Sequence, residues 1–281
     1  VKVLITGSKG FIGKNLVNYL RSEGCQVVEF EGDITKRADI KQSFTNHIDA
    51  VVHLSAYGND SSHDQKTDSG IAQTLHTNII GTTQLIEKFI HSEAKTFIFA
   101  GSSSEYGTQK EPMSTESTLD GKTPYALSKI AISNLLKGLD VPSKRFKVLR
   151  LFSVYGLYEK PNRLIPTAFR CSLTGETMPI ADGVHDFVHV SDVCKSVLKL
   201  LDEPRTTPTI SHVASGIQYS NQEVLETIEQ ITGNKINTYP RNNIRPADTN
   251  FSWVSDKKSI LIQPTYSLKD GLTEVWKHRH L

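Results

Sequence analysis

Tyr125 and Lys129 stand four residues apart in YALSKIAISNLLKGL, a stretch with helical periodicity. Residues at that spacing project from one face of a helix. A tyrosine hydroxyl, with an ordinary pKa of about 10, is a poor base at neutral pH. A neighbouring ammonium favours the phenolate and brings it into working range. Ser102 ends the stretch TFIFAGS and is suited to hydrogen-bond the same substrate oxygen. Such a trio moves a proton at a carbinol oxygen, and with a hydride carrier alongside it supports hydride transfer at the carbinol carbon. A Tyr-x-x-x-Lys pair is common by chance on helix surfaces, so its meaning depends on the elements around it.

The first thirteen residues, VKVLITGSKGFIG, provide that context. Val1–Ile5 reads as a buried parallel strand. Gly7, Gly10 and Gly13 follow at three-residue intervals and lead into a helix whose Leu16, Val17 and Leu20 repeat at helical spacing before Gly24. Strand, glycine turn and helix form the setting of a dinucleotide fingerprint: glycines let the backbone approach a pyrophosphate, and the helix N-terminus stabilises its charge. A second strand, Gln26–Phe30, ends near Glu29 and Glu31. An acidic residue about 20 positions past the turn is where a ribose 2′-hydroxyl is gripped. Glu31, 18 positions after Gly13, is the better placed. It would repel a 2′-phosphate, which favours NAD over NADP, though a solvent-facing carboxylate at a strand end reads the same way.

Further buried strands are expected at Ala50–Leu54, Thr96–Ala100 and Phe146–Phe152, with helices around Ile40–Phe44, Ile71–Ser92 and Tyr125–Leu139. Tyr57–Ser69 is polar and aperiodic, a loop of the kind that lines the ligand crevice of open α/β sheets. Alternating β and α elements predict a doubly wound parallel sheet of the Rossmann type over residues 1–154. From 155 to 281 the spacing loosens and eight prolines spread through the chain, which predicts a smaller mixed substrate lobe, with Val193–Leu201 returning to the first.

The bulk numbers exclude several classes. Among 281 residues the formal net charge is only +2, and basic residues are scattered, so nothing in the charge points to nucleic acid or anionic lipid. No apolar run approaches the length of a membrane helix. Cys25, Cys171 and Cys194 are odd in number and widely spaced, as expected of reduced thiols rather than a disulfide framework or a metal site. With the first strand at residue 1, no leader is expected, and the expected compartment is the cytoplasm.

TGSKGFIG at 6–13, HLSA at 53–56, TNIIGT around Asn78, GSSSEYG at 101–107 and YALSK at 125–129 together resemble the extended short-chain dehydrogenase/reductases. LRLFSVYG at 149–156, RLIP at 163–166, HDFVHVSDV at 185–193 and RPAD at 245–248 extend the resemblance to the nucleotide-sugar epimerase/dehydratase branch. The resemblance implies that Gly7, Gly10, Phe11, Ile12 and Gly13 hold the pyrophosphate, Glu31 the adenosine ribose, and Asp33 with Ile34 the adenine. It implies that Leu54, Ser55 and Ala56 line the cofactor, Asn78 supports the site, and Phe152 lies near the nicotinamide. Ser102, Tyr125 and Lys129 match the catalytic triad. Ser103, Ser153, Asn162, Leu164, His185 and Arg245 fall where the family holds the sugar nucleotide. Arg245 suits a diphosphate because its planar fork binds oxyanions bidentately.

Departures from the pattern narrow the activity. The 4,6-dehydratases of the branch carry an Asp-Glu pair after the catalytic Ser or Thr. Here those positions are Ser103 and Ser104, with Glu105 one place late, so the general acid for eliminating water is missing. Ser153 stands where asparagine is frequent and His185 where arginine is; His189 reads as a structural histidine. The expected activity is an NAD(P)-dependent oxidoreductase on a nucleotide-linked sugar, with reduction of a 4-keto-6-deoxyhexose slightly ahead of NAD-retaining C4 epimerisation. The rivals are a non-catalytic nucleotide-sensing protein and an enzyme for a small hydroxyketone. The resemblance also implies a homodimer through the helices at Ile71–Ser92 and Tyr125–Leu139, with Ile130, Leu135 and Leu136 as apolar positions for it.

Overall fold

The computed structural model describes residues 1–58, 67–241 and 252–278. Its chain divides into two compact units. The first comprises Val1–Gly107, Thr118–Arg150 and Cys194–Ser211; the second comprises Thr108–Ser117, Leu151–Val193 and His212–Leu281.

A six-stranded parallel sheet carries the first unit. Its strands are β1 (Lys2–Thr6), β2 (Gln26–Glu29), β3 (Ala50–His53), β4 (Thr96–Ser102), β5 (Arg145–Leu151) and β9 (Ile210–Val213), in the order β2-β1-β3-β4-β5-β9. β1 sits between β2, in register Val3↔Val27, and β3, in register Val3↔Ala50. The strand order therefore reverses at β1/β3, the switch point outside whose C-terminal ends open α/β sheets bind ligands. Val3, Leu4, Ile5, Val51 and Val52 are fully buried, as strands covered on both faces require.

The helices pack by their apolar stripes. α1 (Phe11–Ser22) buries Leu16, Val17 and Leu20, and α2 (Arg37–Ser43) buries Ile40. α5 (Pro124–Gly138) starts with Thr123 accepting from the Ala126 N–H and Pro124 in its first turn, a favourable N-terminus. The segment expected as one helix over Ile71–Ser92 is interrupted. It consists of α3 (Asp68–Leu75), a π-helical turn (His76–Gly81) and α4 (Thr82–Ile90). π-Turns cluster at functional sites, and this one contains Asn78. Leu85, Phe89, Phe97, Phe99, Ile132 and Val148 meet in the core of this unit.

In the second unit β8 (Val184–His189) pairs parallel with β6 (Ser153–Tyr155) and antiparallel with β10 (Gln218–Ser220). β7 (Met178–Ile180) pairs with β11 (Thr238–Pro240). α6 (Leu164–Thr174), α8 (Asn221–Thr232) and α9 (Leu268–His278) bury Phe169, Val224, Ile228, Leu272 and Val275 against Tyr155 and Phe187. α7 (Val190–Asp202) begins in the second unit and ends in the first. Among the described residues no helix is long and apolar enough to cross a membrane, and no cluster of His, Cys, Asp and Glu could hold a metal ion. Among the described residues Cys25, Cys171 and Cys194 form no disulfide.

Candidate active site

The glycine turn after β1 is shaped by close backbone approach. Gly7 has φ +70°, and a Cβ there would lie 2.8 Å from the Ser55 nitrogen; a Cβ on Gly13 would lie 2.1 Å from the Gly7 oxygen. Any side chain at Gly13 would thus close the turn. Gly10 caps α1, which has no side-chain cap among the described residues. The first-turn N–H groups of Phe11, Ile12 and Gly13 have no intrahelical acceptor. The Ser8 hydroxyl is buried without a hydrogen-bond partner. A turn whose first helical N–H groups lack intrahelical acceptors, with no room for side chains and an unsatisfied hydroxyl, fits an anionic phosphate group.

The acidic residues beyond β2 are distinguished by their partners. Glu29 pairs with Arg21 at 2.9 Å, whereas Glu31 lies 3.6 Å from Lys9 of the glycine turn, both side chains largely exposed. Of the two, Glu31 is the carboxylate that reaches towards the turn. Asp33 accepts from the Thr35 N–H (2.9 Å) and hydroxyl (2.8 Å), and these bonds hold its carboxyl below the usual range. Ile34 is buried against the backbone of Gly81. Leu54, Ser55 and Ala56 leave the end of β3, with the Ser55 N–H donating to Thr6 Oγ1 at 3.2 Å.

Beneath them lies a buried polar column. His53 shares hydrogen bonds with Thr6 Oγ1 (2.6 Å) and Thr82 Oγ1 (2.8 Å) and stacks on Phe99 at 5.9 Å. Burial, reinforced by Lys129, pushes its pKa down to about 3, so it is neutral at working pH. Asn78 is equally committed. Its Oδ1 accepts from the Tyr57 N–H (2.8 Å), and its Nδ2 donates to the Tyr57 oxygen (2.9 Å) and to Ser128 Oγ (3.0 Å). Ser128 Oγ in turn donates to the Tyr125 carbonyl at 2.7 Å. The π-turn is thereby tied both to the loop after β3 and to the first turn of α5.

Tyr125 and Lys129 occupy successive turns of α5, the ammonium 5.6 Å from the centre of the Tyr125 ring. Lys129 is buried; its Nζ donates to the Ala100 carbonyl at 2.7 Å and lies 4.5 Å over the Phe99 ring. Desolvation lowers its pKa to about 8, against the opposing pull of Glu105. Ser102 ends β4 and starts a 3₁₀ turn (Ser103–Tyr106), which packs on α5. Its Oγ accepts from the Ser104 N–H (3.1 Å) and hydroxyl (2.8 Å). Ser103 is buried within the turn.

Glu105 completes a capping box, accepting from the Ser102 N–H at 2.8 Å. Its other oxygen accepts from Arg150 Nε at 2.9 Å, and Arg150 donates to the Tyr106 hydroxyl at 2.7 Å. The side chains of Glu105 and Arg150 are 0% and 2% exposed. The Ser-x-x-Glu spacing of a capping box was present in the sequence; that Arg150 of β5 is the counter-charge was not.

The remaining predicted site residues belong to the second unit. Phe152 is buried with its ring 5.1 Å from His212. Ser153 opens β6 opposite Phe187. His185 of β8 packs edge-on against Phe187 (5.6 Å) and Trp253 (6.5 Å). Asn162 is exposed two residues before Leu164, the first residue of α6. Arg245, with RPAD, lies outside the described residues. His189 is enclosed by the rings of Tyr155 and Tyr266, its Nδ1 paired with Ser191 Oγ at 2.9 Å. Sequence reasoning passed over Glu159, whose buried carboxyl has Oε1 3.7 Å from Arg163 Nε and Oε2 without a hydrogen-bond partner. Burial pushes its pKa up to about 8, although Arg163 and the Gly156 N–H pull it down.

A glycine turn at a β1/β3 switch point, with a Tyr-Lys helix beside a strand ending in serine, defines a dinucleotide-dependent α/β enzyme. Comparison with known proteins specifies the class. The profile of the NAD dependent epimerase/dehydratase family matches residues 3–214, and the chain belongs to that family. A UDP-glucose 4-epimerase of Yersinia enterocolitica is 25% identical over 99% of this chain and 97% of its own length. A dTDP-glucose 4,6-dehydratase of Xanthomonas campestris pv. campestris is 27% identical over 90% of this chain and 82% of its own. The solved structure of MoeE5 in complex with UDP-glucuronic acid and NAD is similar with a TM-score of 0.86 and 25% identity, covering 99% of this chain and 98% of that one.

Proposed function

We propose that this enzyme performs reversible, NAD-dependent hydride transfer at C4 of a nucleotide-linked hexose, and that it uses this chemistry as a 4-epimerase. The observation that carries the redox reading is the buried Lys129 ammonium beneath Tyr125, on the helix that packs against the serine turn. The near full-length likeness to UDP-glucose 4-epimerases supports inversion as the outcome. Reduction of a 4-keto-6-deoxyhexose is the second reading, favoured by the short link between β2 and α2, which leaves only residues 30–36 between them. Dehydration is disfavoured: Ser104 stands where the dehydratases place a glutamate, and Glu105 is committed to Ser102 and Arg150.

When bound, NAD supplies the hydride acceptor and donor. The glycine turn with Phe11 and Ile12 would hold its pyrophosphate, Glu31 the adenosine ribose, Asp33 and Ile34 the adenine, and Leu54–Ala56, Asn78 and Phe152 the nicotinamide side. Tyr125 takes the proton from the substrate hydroxyl as hydride leaves and returns it in the reverse step. Ser102 Oγ hydrogen-bonds the same oxygen. Lys129 favours the phenolate of Tyr125 by its charge, and Asn78 holds α5 in place through Ser128. Ser103, Ser153, Asn162, Leu164, His185 and Arg245 would contact the sugar nucleotide.

Purified protein is to be tested first for dinucleotide that survives gel filtration, then for interconversion of UDP-glucose and UDP-galactose. Retained NAD with C4 inversion supports the epimerase. Reversible binding, with oxidation of reduced cofactor by a 4-keto-6-deoxy sugar nucleotide, supports the reductase instead. Tyr125→Phe is expected to lower kcat by about 10²–10⁴-fold with dinucleotide binding retained; unchanged turnover would remove Tyr125 from the chemistry.

The oligomer proposed is a homodimer through α3, the π-turn and α5. Leu75, Ile80, Leu127 and Leu135 are large apolar side chains exposed on these elements, 39–51% each. Of the three positions expected on α5, Leu135 is exposed, Ile130 is half-buried and Leu136 belongs to the core. Light scattering should give a dimeric mass that Leu127→Glu halves; a monomeric mass for the native chain would refute the interface.

A further inference from the structure

The residue that stands out beyond the triad is Glu105. Its carboxylate is wholly buried, yet each of its oxygens has a hydrogen-bond donor on a different element: the Ser102 N–H at the end of β4 and Arg150 Nε on β5. Gly101 makes the approach feasible, since a Cβ there would lie 2.7 Å from Glu105 Oε1. The Tyr106 hydroxyl accepts from Arg150, and the Arg150 guanidinium lies 4.8 Å over the Tyr106 ring, so the arginine is fixed from two sides.

Lys129 requires a counter-charge. The groups around it are the neutral His53 on β3, the Phe99 ring and Ala100 carbonyl on β4, Tyr125 on its own helix, and the Glu105–Arg150 pair behind the serine turn. Among these Glu105 is the acidic group whose charge acts on it. Uncompensated, a buried ammonium loses its proton. A neutral amine would no longer favour the Tyr125 phenolate.

We propose that Glu105 is the positioning residue of this site, fixing the Ser102 backbone through one carboxylate oxygen and steadying the Lys129 ammonium by its charge. The inference rests on the reading that Ser102, Tyr125 and Lys129 carry the chemistry. It separates two properties that the catalytic pair needs together, a fixed serine and a charged lysine, and assigns both to one side chain that touches no reactant. Arg150 Nε occupies the second carboxylate oxygen, so both oxygens of the fully buried side chain are fixed by donors.

The test is the titration of Lys129, which a merely structural role for Glu105 would leave in place. In full-length protein carrying ¹³C at the lysine ε-carbons, the Lys129 resonance is identified by its loss in Lys129→Met and followed with pH. Its native midpoint is expected near 8. Glu105→Gln keeps an acceptor for the Ser102 N–H but removes the charge, and the midpoint should fall by roughly 1 unit. Glu105→Asp keeps the charge but shortens the reach; the midpoint should stay near native while the Ser102 amide exchanges faster. If Glu105→Gln leaves Arg150 unmatched and does not fold, Glu105→Gln/Arg150→Met removes both charges and should shift the midpoint in the same direction. A folded charge-free variant with an unmoved Lys129 midpoint overturns the inference, as does an aspartate that moves it as far as glutamine. These outcomes do not depend on the substrate, whereas retained turnover in Tyr125→Phe would sink the underlying reading alone.

Discussion

Each unit of the molecule buries a glutamate beside an arginine, and the two pairs are built differently. In the first unit Glu105 has a donor on each oxygen, and Arg150, 2% exposed, meets it at 2.9 Å. In the second unit Glu159 has one oxygen 3.7 Å from Arg163, which is 42% exposed, and the other without a partner. The physical consequence follows the partners. Both oxygens of Glu105 are satisfied in the protein interior, while burial of the under-partnered Glu159 pushes its pKa up to about 8, so it stays protonated at neutral pH. Depth of burial alone does not set the cost of a buried carboxyl; the number and geometry of its donors do.

The contrast is tested most severely by removing an arginine. Arg150→Met leaves Glu105 buried without its charge partner and the Tyr106 hydroxyl without its donor. The expected loss is about 3–5 kcal/mol of stability, read from chemical denaturation. A loss no larger than that of an exposed ion pair, about 0–1 kcal/mol, would mean that the buried Glu105 does not depend on Arg150, and the distinction between the two glutamates would collapse.

Glu159 offers a second test through pH. Its folded pKa is raised above the ordinary 4.5, so the folded state holds a proton that the unfolded chain has released. This contribution is fully present below about 4.5 and is lost as pH rises to about 8, with a slope approaching about 1.4 kcal/mol per unit between them. His53 acts in the opposite sense: its depressed value makes stability rise with pH from about 3 to its ordinary 6.5. The difference between native and Glu159→Gln stability curves cancels the His53 part. It should decline steadily across the Glu159 window, and a flat difference curve would show that Glu159 ionises normally.

The sequence made the first unit legible to a greater depth than the second. The Val1–Ile5 run, the glycine spacing and the Tyr-Lys pair each report local geometry, and local geometry is what periodicity and turn chemistry encode. The interruption of the 71–92 helix was hidden because a π-turn changes hydrogen-bond partners without changing residue types; Asn78 entered the candidate site through the family resemblance, not through its spacing. The Glu105–Arg150 pair spans 45 positions in the chain, and no local spacing announces which strand will supply the cation. Glu159 and Arg163 are the reverse case: adjacent turns make their proximity readable, but the missing second donor depends on how the whole unit packs.

The smallest expected effect belongs to Arg163→Met. Arg163 lowers the Glu159 pKa, but its guanidinium is substantially exposed and stands beyond ordinary hydrogen-bond distance. Water screens such a charge, so its loss should cost no more than about 1 kcal/mol near neutral pH. A protonated Glu159 has little charge there for the arginine to neutralise. The effect should appear only as the carboxyl ionises: above about pH 8 the variant should lose more stability than the native chain, because the emerging carboxylate no longer has its cation. A loss near that of Arg150→Met at neutral pH would mean instead that Glu159 is ionised and that the two arginines do the same work. A pH-dependent penalty confined to the alkaline side would establish that Arg163 faces a carboxyl which burial keeps protonated at neutral pH, and that its cation matters only once that proton is lost.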